Sequence, residues 1–546
     1  MRFSRLTQAI CFATTAMLLT ACGDDADSTS TTLPDVTPPL LTTDGNFSNG
    51  HTAISSVSIA GMAEDDGGVA SVTYQLNDEA PHDIPLDITG HFEDQIFLKA
   101  GSNKITLTAA DNAGNLLNVS KTVYLGDKIA AGNSHTGALR DGQLYSWGRN
   151  NSGQSGLGIT TSRVLDNALN PQHPNTPMLI NTAQTKFVSL NFNQNHSLAI
   201  SEDGRVYSWG DDRFDQLGRG PQGHSSCVST NDCVLDIGAV DNIDNAVMIA
   251  TGYRHSLVLT EDGSVWAFGK NTAGQLGDGT TDNSNLPVQV DFSEANNVGR
   301  IIQVAASSDS SYALDDKGQV WGWGTDDYAN LGRGTACKTY EGCTNVTSKP
   351  VRITVIPPAT GSTTDTLNHD SDAEKVIQLA AGRDHVLALT SNNSVYGWGL
   401  NAQNQVGYKT APPAGSDNVW EGTITSPTKL PWFENKDVQQ VYANGNTSYV
   451  LLTNGKLYPW GMFGETNSSG NTVYQELSEP TDKLPNLVNI DNMAMGALHF
   501  ITQDKDEQLY TWGWSYEGSL GSPDTANVWM YNTPIPISLP SSAADQ

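Results

Sequence analysis

The sequence predicts an all-β protein in which a small β-sandwich precedes seven copies of a four-stranded blade. Three observations predict it. Composition is the first: 52 Gly, 17 Tyr and 12 Trp in 546 residues, with only 16% charged residues, describe a turn-rich, aromatic-rich globular chain. The second is a set of short alternating runs between residues 34 and 126, parted by turn residues. The third is a phrase that recurs beyond Asp127 as LRDGQLYSWG, SEDGRVYSWG, TEDGSVWAFG, DDKGQVWGWG, TSNNSVYGWG, LTNGKLYPWG and QDKDEQLYTWG. Its aromatic-Gly pairs begin at Trp147, Trp209, Phe268, Trp323, Trp398, Trp460 and Trp512, a mean period of about 61 residues, which fits one blade per repeat.

At the N-terminus Arg2 and Arg5 precede an apolar stretch, Ile10 to Leu19, about half the length a membrane-spanning helix needs. It reads as a secretion signal. The stretch ends in Leu19-Thr20-Ala21-Cys22, which resembles the lipobox of bacterial lipoproteins. That resemblance implies removal of residues 1–21 and acylation of Cys22, and several acyl chains anchor firmly where one binds only marginally. The competing reading is an ordinary cleaved signal with an incidental Cys. Residues 22–33 form a polar tether, and Gly23 stands where the enterobacterial inner-membrane signal has Asp. The expected location is the bacterial cell envelope, the outer membrane before the inner.

Residues 34–126 carry the runs Ser56 to Ala60, Val69 to Leu76, Gln95 to Leu98, Lys104 to Ala109 and Ser120 to Leu125. They predict a sandwich, and the features Gly61 to Asp65 and Gly101 to Asn115 resemble bacterial immunoglobulin-like modules. Asp65, Asp66, Asp111 and Asn115 are possible calcium ligands, although Asp and Asn followed by Gly are first of all turn residues.

Each repeat has the same parts. A run such as Lys375 to Ala380 ends in small residues, and a second run such as Val386 to Leu389 follows Gly382-Arg383-Asp384-His385. Asp-Gly or Asn-Gly then turns the chain into the third strand, which ends at Trp-Gly. A Gly-Gln-Leu-Gly turn follows, complete at Gly274 to Gly277 and varied at Gly153 to Gly156, Asp215 to Gly218 and Asn404 to Gly407. A fourth run opens at Pro177, Pro287, Pro350, Pro427, Pro480 and Pro534, and proline places it at a sheet edge.

These residues resemble the regulator of chromosome condensation repeat family, over 127–540, leaving 541–546 as a tail. The resemblance implies a seven-bladed β-propeller preceded by the immunoglobulin-like β-sandwich. Repeat three departs with Phe268 at the Trp position, repeat four with Ser310 and repeat six with Ser448 where others have His, and Gly464-Glu-Thr-Asn barely matches the turn. Repeat one lacks a preceding Pro-led strand, so Thr533 to Leu539 is expected to join the first blade and close the ring.

Five histidines, His135, His196, His255, His385 and His499, occupy one equivalent position. Repetition by symmetry makes them structural devices before it makes them a metal or acid-base cluster. The motif aromatics are likewise packing between blades. Cys227 with Cys233 and Cys337 with Cys343 are equally spaced in equivalent loops of an exported chain, which predicts two local disulfides; His224 beside the first pair leaves a zinc reading open. No nucleophile elbow, His-Glu-x-x-His, P-loop or complete calcium loop is present. No cofactor is expected.

A formal charge of −30 sets the chain against nucleic acid and anionic lipid surfaces. The function read from all this is a monomeric, lipid-anchored envelope scaffold whose propeller presents a loop face to a protein or glycan. Alternatives are guanine-nucleotide exchange on a small GTPase, which the family resemblance implies, and a glycosidase or lyase with carboxylates in the axial pit. Strand direction alternates, so the loops after the Gly-Gln-Leu-Gly turns share one face with the Gly-x-x-His turns. Candidate contacts there are Tyr340, Tyr408, Trp420, Tyr474, Trp529 and Tyr531. The opposite face carries the insert Pro357 to Glu374.

Overall fold

A computed structural model of the chain describes residues 34–45, 47–161, 173–221, 227, 232–334, 345–353, 375–407, 422–466, 472–523 and 529–541. Cys22, Cys337, Tyr340, Cys343, Tyr408, Trp420, His224 and the insert Pro357 to Glu374 lie outside the described residues.

The first 90 or so described residues form two sheets. Leu40–Thr43, Ser56–Glu64 and His91–Phe97 make one, and Gly50–Thr52, Leu116–Leu125, Gly101–Asp111, Val69–Leu76 and His82–Ile84 make the other. Along Gly101–Asp111 buried residues alternate with more exposed ones, as a strand covered on one face requires. Ile59, Val72, Phe92, Ile105 and Leu107 fill the space between the sheets, all of them inaccessible to solvent. The longer strands were legible as alternating runs; Leu40–Thr43, Gly50–Thr52 and His82–Ile84 are too short to show a period.

Seven four-stranded antiparallel sheets follow, one per repeat. Blade 5 is typical: Val376–Ala381 lies innermost, His385–Thr390 and Val395–Leu400 follow, and Thr423–Lys429 is outermost. The Trp-Gly tryptophans Trp147, Trp209, Trp323, Trp398, Trp460 and Trp512 are buried between blades. Two faces result. The Gly-x-x-His turns lie on what we call the turn face and the second-to-third strand hairpins on the hairpin face.

Ring closure differs from the expectation. Met530–Ile537 pairs with Leu509–Trp514 of its own blade, and blade 1 takes its fourth strand from its own repeat, the two residues Met178–Leu179 after Pro177. Ile129–Ala131, directly after the sandwich, supplies the inner strand of blade 1, so that blade needs nothing from the C-terminus. The last residues still reach it, since Arg140 Nη1 donates to Leu539 O at 3.0 Å and Tyr145 OH to Pro540 O at 3.1 Å. The prolines also sit differently: Pro287, Pro350, Pro427 and Pro534 lie inside their strands, and Pro480 lies beyond Thr472–Leu477.

Blade 6 departs most. Its third strand, Leu457–Thr466, runs on past Trp460-Gly461 and pairs with Thr472–Leu477, from Gly461 opposite Leu477 to Thr466 opposite Thr472. The usual turn is replaced by a hairpin that continues about 15 Å beyond Gly461 on the turn-face side, at the ordinary rise per strand residue.

The sandwich is docked on the hairpin face. Ser55 donates from both N and Oγ to Ile302 O, at 2.8 and 3.0 Å. Tyr124 OH donates to Val188 O at 2.6 Å, and the Arg300 guanidinium lies 3.9 Å from the centroid of the Phe97 ring.

Candidate functional site at the open face of the propeller

The histidines clasp neighbouring blades together. His135 Nε2 lies 3.0 Å from Ser197 Oγ of blade 2, and that hydroxyl donates to Gln154 O of blade 1 at 3.0 Å. Trp209 Nε1 donates to the same carbonyl at 2.9 Å. The arrangement recurs as His255, Ser311, Gln275 and Trp323, as His385, Ser448, Gln405 and Trp460, and as His499, Thr136, Ser519 and Trp147. Between blades 2 and 3, His196 and Ser256 keep it, while Phe268 has no donor to offer.

Because each hydroxyl proton goes to a carbonyl, its oxygen can only accept, which assigns the imidazole proton to Nε2. The ring stacks into a space that glycine leaves open: a Cβ on Gly132, Gly252, Gly382 or Gly496 would fall 2.1 to 2.3 Å from the imidazole Cε1. That close approach explains the Gly of Gly-x-x-His. Burial drives the imidazoles toward the neutral form, to about 4 for His196 and His499 and about 3 for His255 and His385, with His135 also well lowered.

Where the clasp is missing, both halves are missing. Ser310 replaces His in blade 4, and the facing residue of blade 5 is Val386. In blade 6 the position belongs to Thr447, not to Ser448 as the sequence alone suggests; Thr447 pairs with Gly461 as His385 does with Gly399. Its facing residue in blade 7 is Phe500. Ser448 instead takes the proton of His385.

The inner strands of all seven blades surround an axial cavity of about 220 Å³. His51, Thr52, Ala53, Gly126 and Asp127 line it from the sandwich end. His51 Nε2 donates to Gly126 O at 2.8 Å and lies 3.6 Å from Asp127, while Gln440 Nε2 donates to His51 Nδ1 at 3.1 Å. Burial lowers the His51 pKa, but Asp127 and the Gly126 carbonyl outweigh it and hold the group above its ordinary value. Much of the polar wall is satisfied internally: Gln303 bonds both N and O of Leu379, and Gln378 both N and O of Val441. Asp127 is the one carboxylate among the described lining residues, so a two-carboxylate hydrolase has no pair to work with there.

Among the described residues the turn face is the open one. Around blades 2 to 5 it carries ion pairs, Arg213 with Asp211 at 2.6 Å, Lys270 with Asp309 at 3.0 Å, Arg333 with Asp326 at 2.9 Å and Arg383 with Asp384 at 2.7 Å. Around blades 6 and 7 it carries Tyr474, Trp529 and Tyr531, with Tyr474 50% and Trp529 60% exposed. The three described members of the aromatic set thus stand on two adjacent blades, Tyr474 on blade 6 and Trp529 and Tyr531 on blade 7. The hairpin that carries Tyr474 had a visible signal, the failed turn motif at Gly464.

Cys227 and Cys233 are joined in a disulfide, their Cα atoms 6.4 Å apart. In the sandwich, ligand oxygens of Asp35, Asp65 and Asp111 lie within 4.8 Å of one another. Of the four calcium candidates, Asp65 and Asp111 are there; Asn115 turns its amide into the cluster, donating to Asp111 Oδ2 at 2.7 Å, and Asp35 was not anticipated.

A family model described as the RCC1-like domain matches residues 105–363 and 230–545. The chain belongs to the RCC1-like domain family. Over 397 residues this RCC1-like chain is 29% identical to the ultraviolet-B receptor UVR8 of Arabidopsis thaliana, covering 72% of the chain and 78% of UVR8. It is 27% identical to human protein RCC2, covering 60% of the chain and 59% of RCC2. The human E3 ubiquitin-protein ligase HERC2 is 28% identical, and only 6% of that protein is spanned. Among solved structures, yeast RCC1 (Prp20) bound to Kap60 superposes with a TM-score of 0.56 at 21% identity, over 73% of this chain and 84% of that one. Human WBSCR16 gives 0.55 at 21% identity, over 73% and 95%. These likenesses establish the propeller.

Proposed function

We propose that the chain is a lipid-anchored envelope scaffold that binds a protein partner on the turn face of its propeller. The observation that carries this reading is the docked sandwich, which covers the channel mouth on the hairpin face and, among the described residues, leaves the turn face as the available end. A protein is preferred to a glycan in keeping with the yeast relative, which was solved bound to Kap60. Anchoring rests on Leu19-Thr20-Ala21-Cys22, and no helix among the described residues is long and apolar enough to cross a membrane. The sandwich, packed on the propeller as described, acts as a cap in addition to a spacer.

The test has two arms. Cys22→Ala should move the protein from the membrane to the soluble fraction; continued partition with lipid would refute the anchor. Soluble full-length chain carrying that replacement, used as bait in an envelope extract, should retain a protein that Trp529→Ala retains less well. A partner lost instead on changing the hairpin face, with Trp529→Ala silent, would refute the choice of face.

A further inference from the structure

The outermost strand of each blade is a sheet edge, and most of these edges are guarded. Pro287, Pro350 and Pro427 sit inside those of blades 3, 4 and 5, Pro534 and Pro536 inside that of blade 7, and Pro177 precedes that of blade 1. The Cys227–Cys233 disulfide tethers the start of the edge strand of blade 2. Proline withholds the backbone donor that an incoming strand would use. Thr472–Leu477 of blade 6 has no such guard. It reads Thr-Val-Tyr-Gln-Glu-Leu, Tyr474, Gln475 and Glu476 are exposed, and it belongs to the hairpin that passes beyond the turn face.

Its surroundings say what would bind. Gly464 lies opposite Tyr474, and a Cβ there would fall 2.4 Å from Met530 Cε and 3.6 Å from Tyr474 Cε1. The hairpin therefore leans on blade 7 through that glycine, with Met530 and Tyr474 beside it and Trp529 next to Met530 in the chain. The charge is acidic. Among the described residues no cation lies within ion-pair distance of Glu476 or Glu479, whereas Lys483 is engaged by Glu465 at 2.5 Å and Gln475 at 3.1 Å, and Lys456 by Asp482 at 3.7 Å.

We propose that this edge takes up an extended, basic segment of the protein partner as an added strand, its Lys or Arg side chains toward Glu476 and Glu479 and an apolar one against Tyr474. The proposal rests on the turn face being the binding face. In such strand addition the main chain supplies affinity and alternate side chains supply specificity. A second copy of the chain is the wrong occupant, because it would set the same glutamates and a charge of −30 against themselves.

The probe is a short peptide in which Lys and Val take turns at every second residue with Thr between them, so that Lys and an apolar side chain fall on the one face that Tyr474 and Glu476 share, titrated against the soluble full-length chain. A version with Glu for Lys, and one N-methylated at alternate residues, should each bind at least about tenfold more weakly. Glu476→Lys should weaken the basic peptide several-fold, and one of Tyr474→Pro and Gln475→Pro, whichever removes an outward N–H, should abolish binding with the melt unchanged. Equal binding of the acidic peptide, indifference to N-methylation, or no binding at all would overturn strand addition, and N-methylation reads the backbone bonds even if a proline variant misfolds. Partner capture that is sensitive to Trp529→Ala but to neither proline variant sinks this inference alone. Failure of every bait to capture a partner sinks the binding-face reading beneath it.

Discussion

His499 donates its Nε2 proton to the Thr136 hydroxyl at 2.9 Å across the seam where the seventh blade meets the first. No strand is exchanged there, so this clasp and the bond from Trp147 to Ser519 O do what a shared strand was expected to do. Thr136→Val leaves a buried imidazole N–H without an acceptor, which should cost about 1–3 kcal/mol in urea unfolding. Combining it with His499→Ser copies the pairing of Ser310 with Val386, and the double variant should lose less than the sum of the singles by about 0.5–3 kcal/mol. Simple additivity would show that the two side chains do not act as a pair.

The clasp histidines make stability pH-dependent with a definite sign. Their folded pKa values are depressed, to about 4 for His196 and His499 and about 3 for His255 and His385. Above the unfolded value near 6.5 both states are neutral and nothing is lost; below it the unfolded chain binds protons that the folded chain refuses. The melting temperature should be level above about pH 6.5 and should fall between pH 6.5 and 5, before carboxylates titrate. A flat profile over that window would count against buried, neutral imidazoles.

The blades were legible in the chain because each repeat restates one set of buried contacts, down to the Gly that leaves room for the imidazole. The seam was not, since Met178–Leu179 is too short a strand to leave a pattern and Pro534 looked like a strand start. In blade 6 two adjacent hydroxyl residues, Thr447 and Ser448, make the register ambiguous until Gly461 is seen opposite Thr447. The hydroxyl partner of each histidine lies in the next blade round the ring, 56 to 63 residues on for His135, His196, His255 and His385 and 363 residues back for His499, so no local motif reports it. Nothing local reports the docked sandwich either, because Ser55, Tyr124 and Arg300 act through backbone carbonyls and a ring face that any sequence supplies.

Sandwich docking should respond to His51 in the opposite sense to the clasp. Its folded pKa is raised, so its contribution is fully present below the unfolded value and fades as pH rises through the folded one. His51→Ala removes the bonds to Gly126 O and Gln440 in one step. Trypsin should then cut faster after Lys128, at the junction, while the propeller melts as before. Equal cutting rates in variant and parent would mean that Ser55, Tyr124 and Arg300 hold the sandwich without His51.

The aromatic sector of blades 6 and 7 should carry most of the binding energy on the turn face. Blades 2 to 5 offer ion pairs that already satisfy each other, and partly exposed pairs of this kind contribute little when a rim is covered. Trp529 and Tyr474 instead hold large apolar area in water, 60% and 50% exposed, beside a hairpin that no other blade has among the described residues. Tryptophan and tyrosine at the centre of an interface typically cost about 2 kcal/mol or more on truncation. Trp529→Ala should therefore weaken partner binding at least about tenfold, with the melt unchanged within a few degrees, whereas Lys270→Ala should change it by less than about threefold. Titration calorimetry of both variants against the captured partner decides the matter: a larger loss from Lys270→Ala would move the site to the charged half of the face.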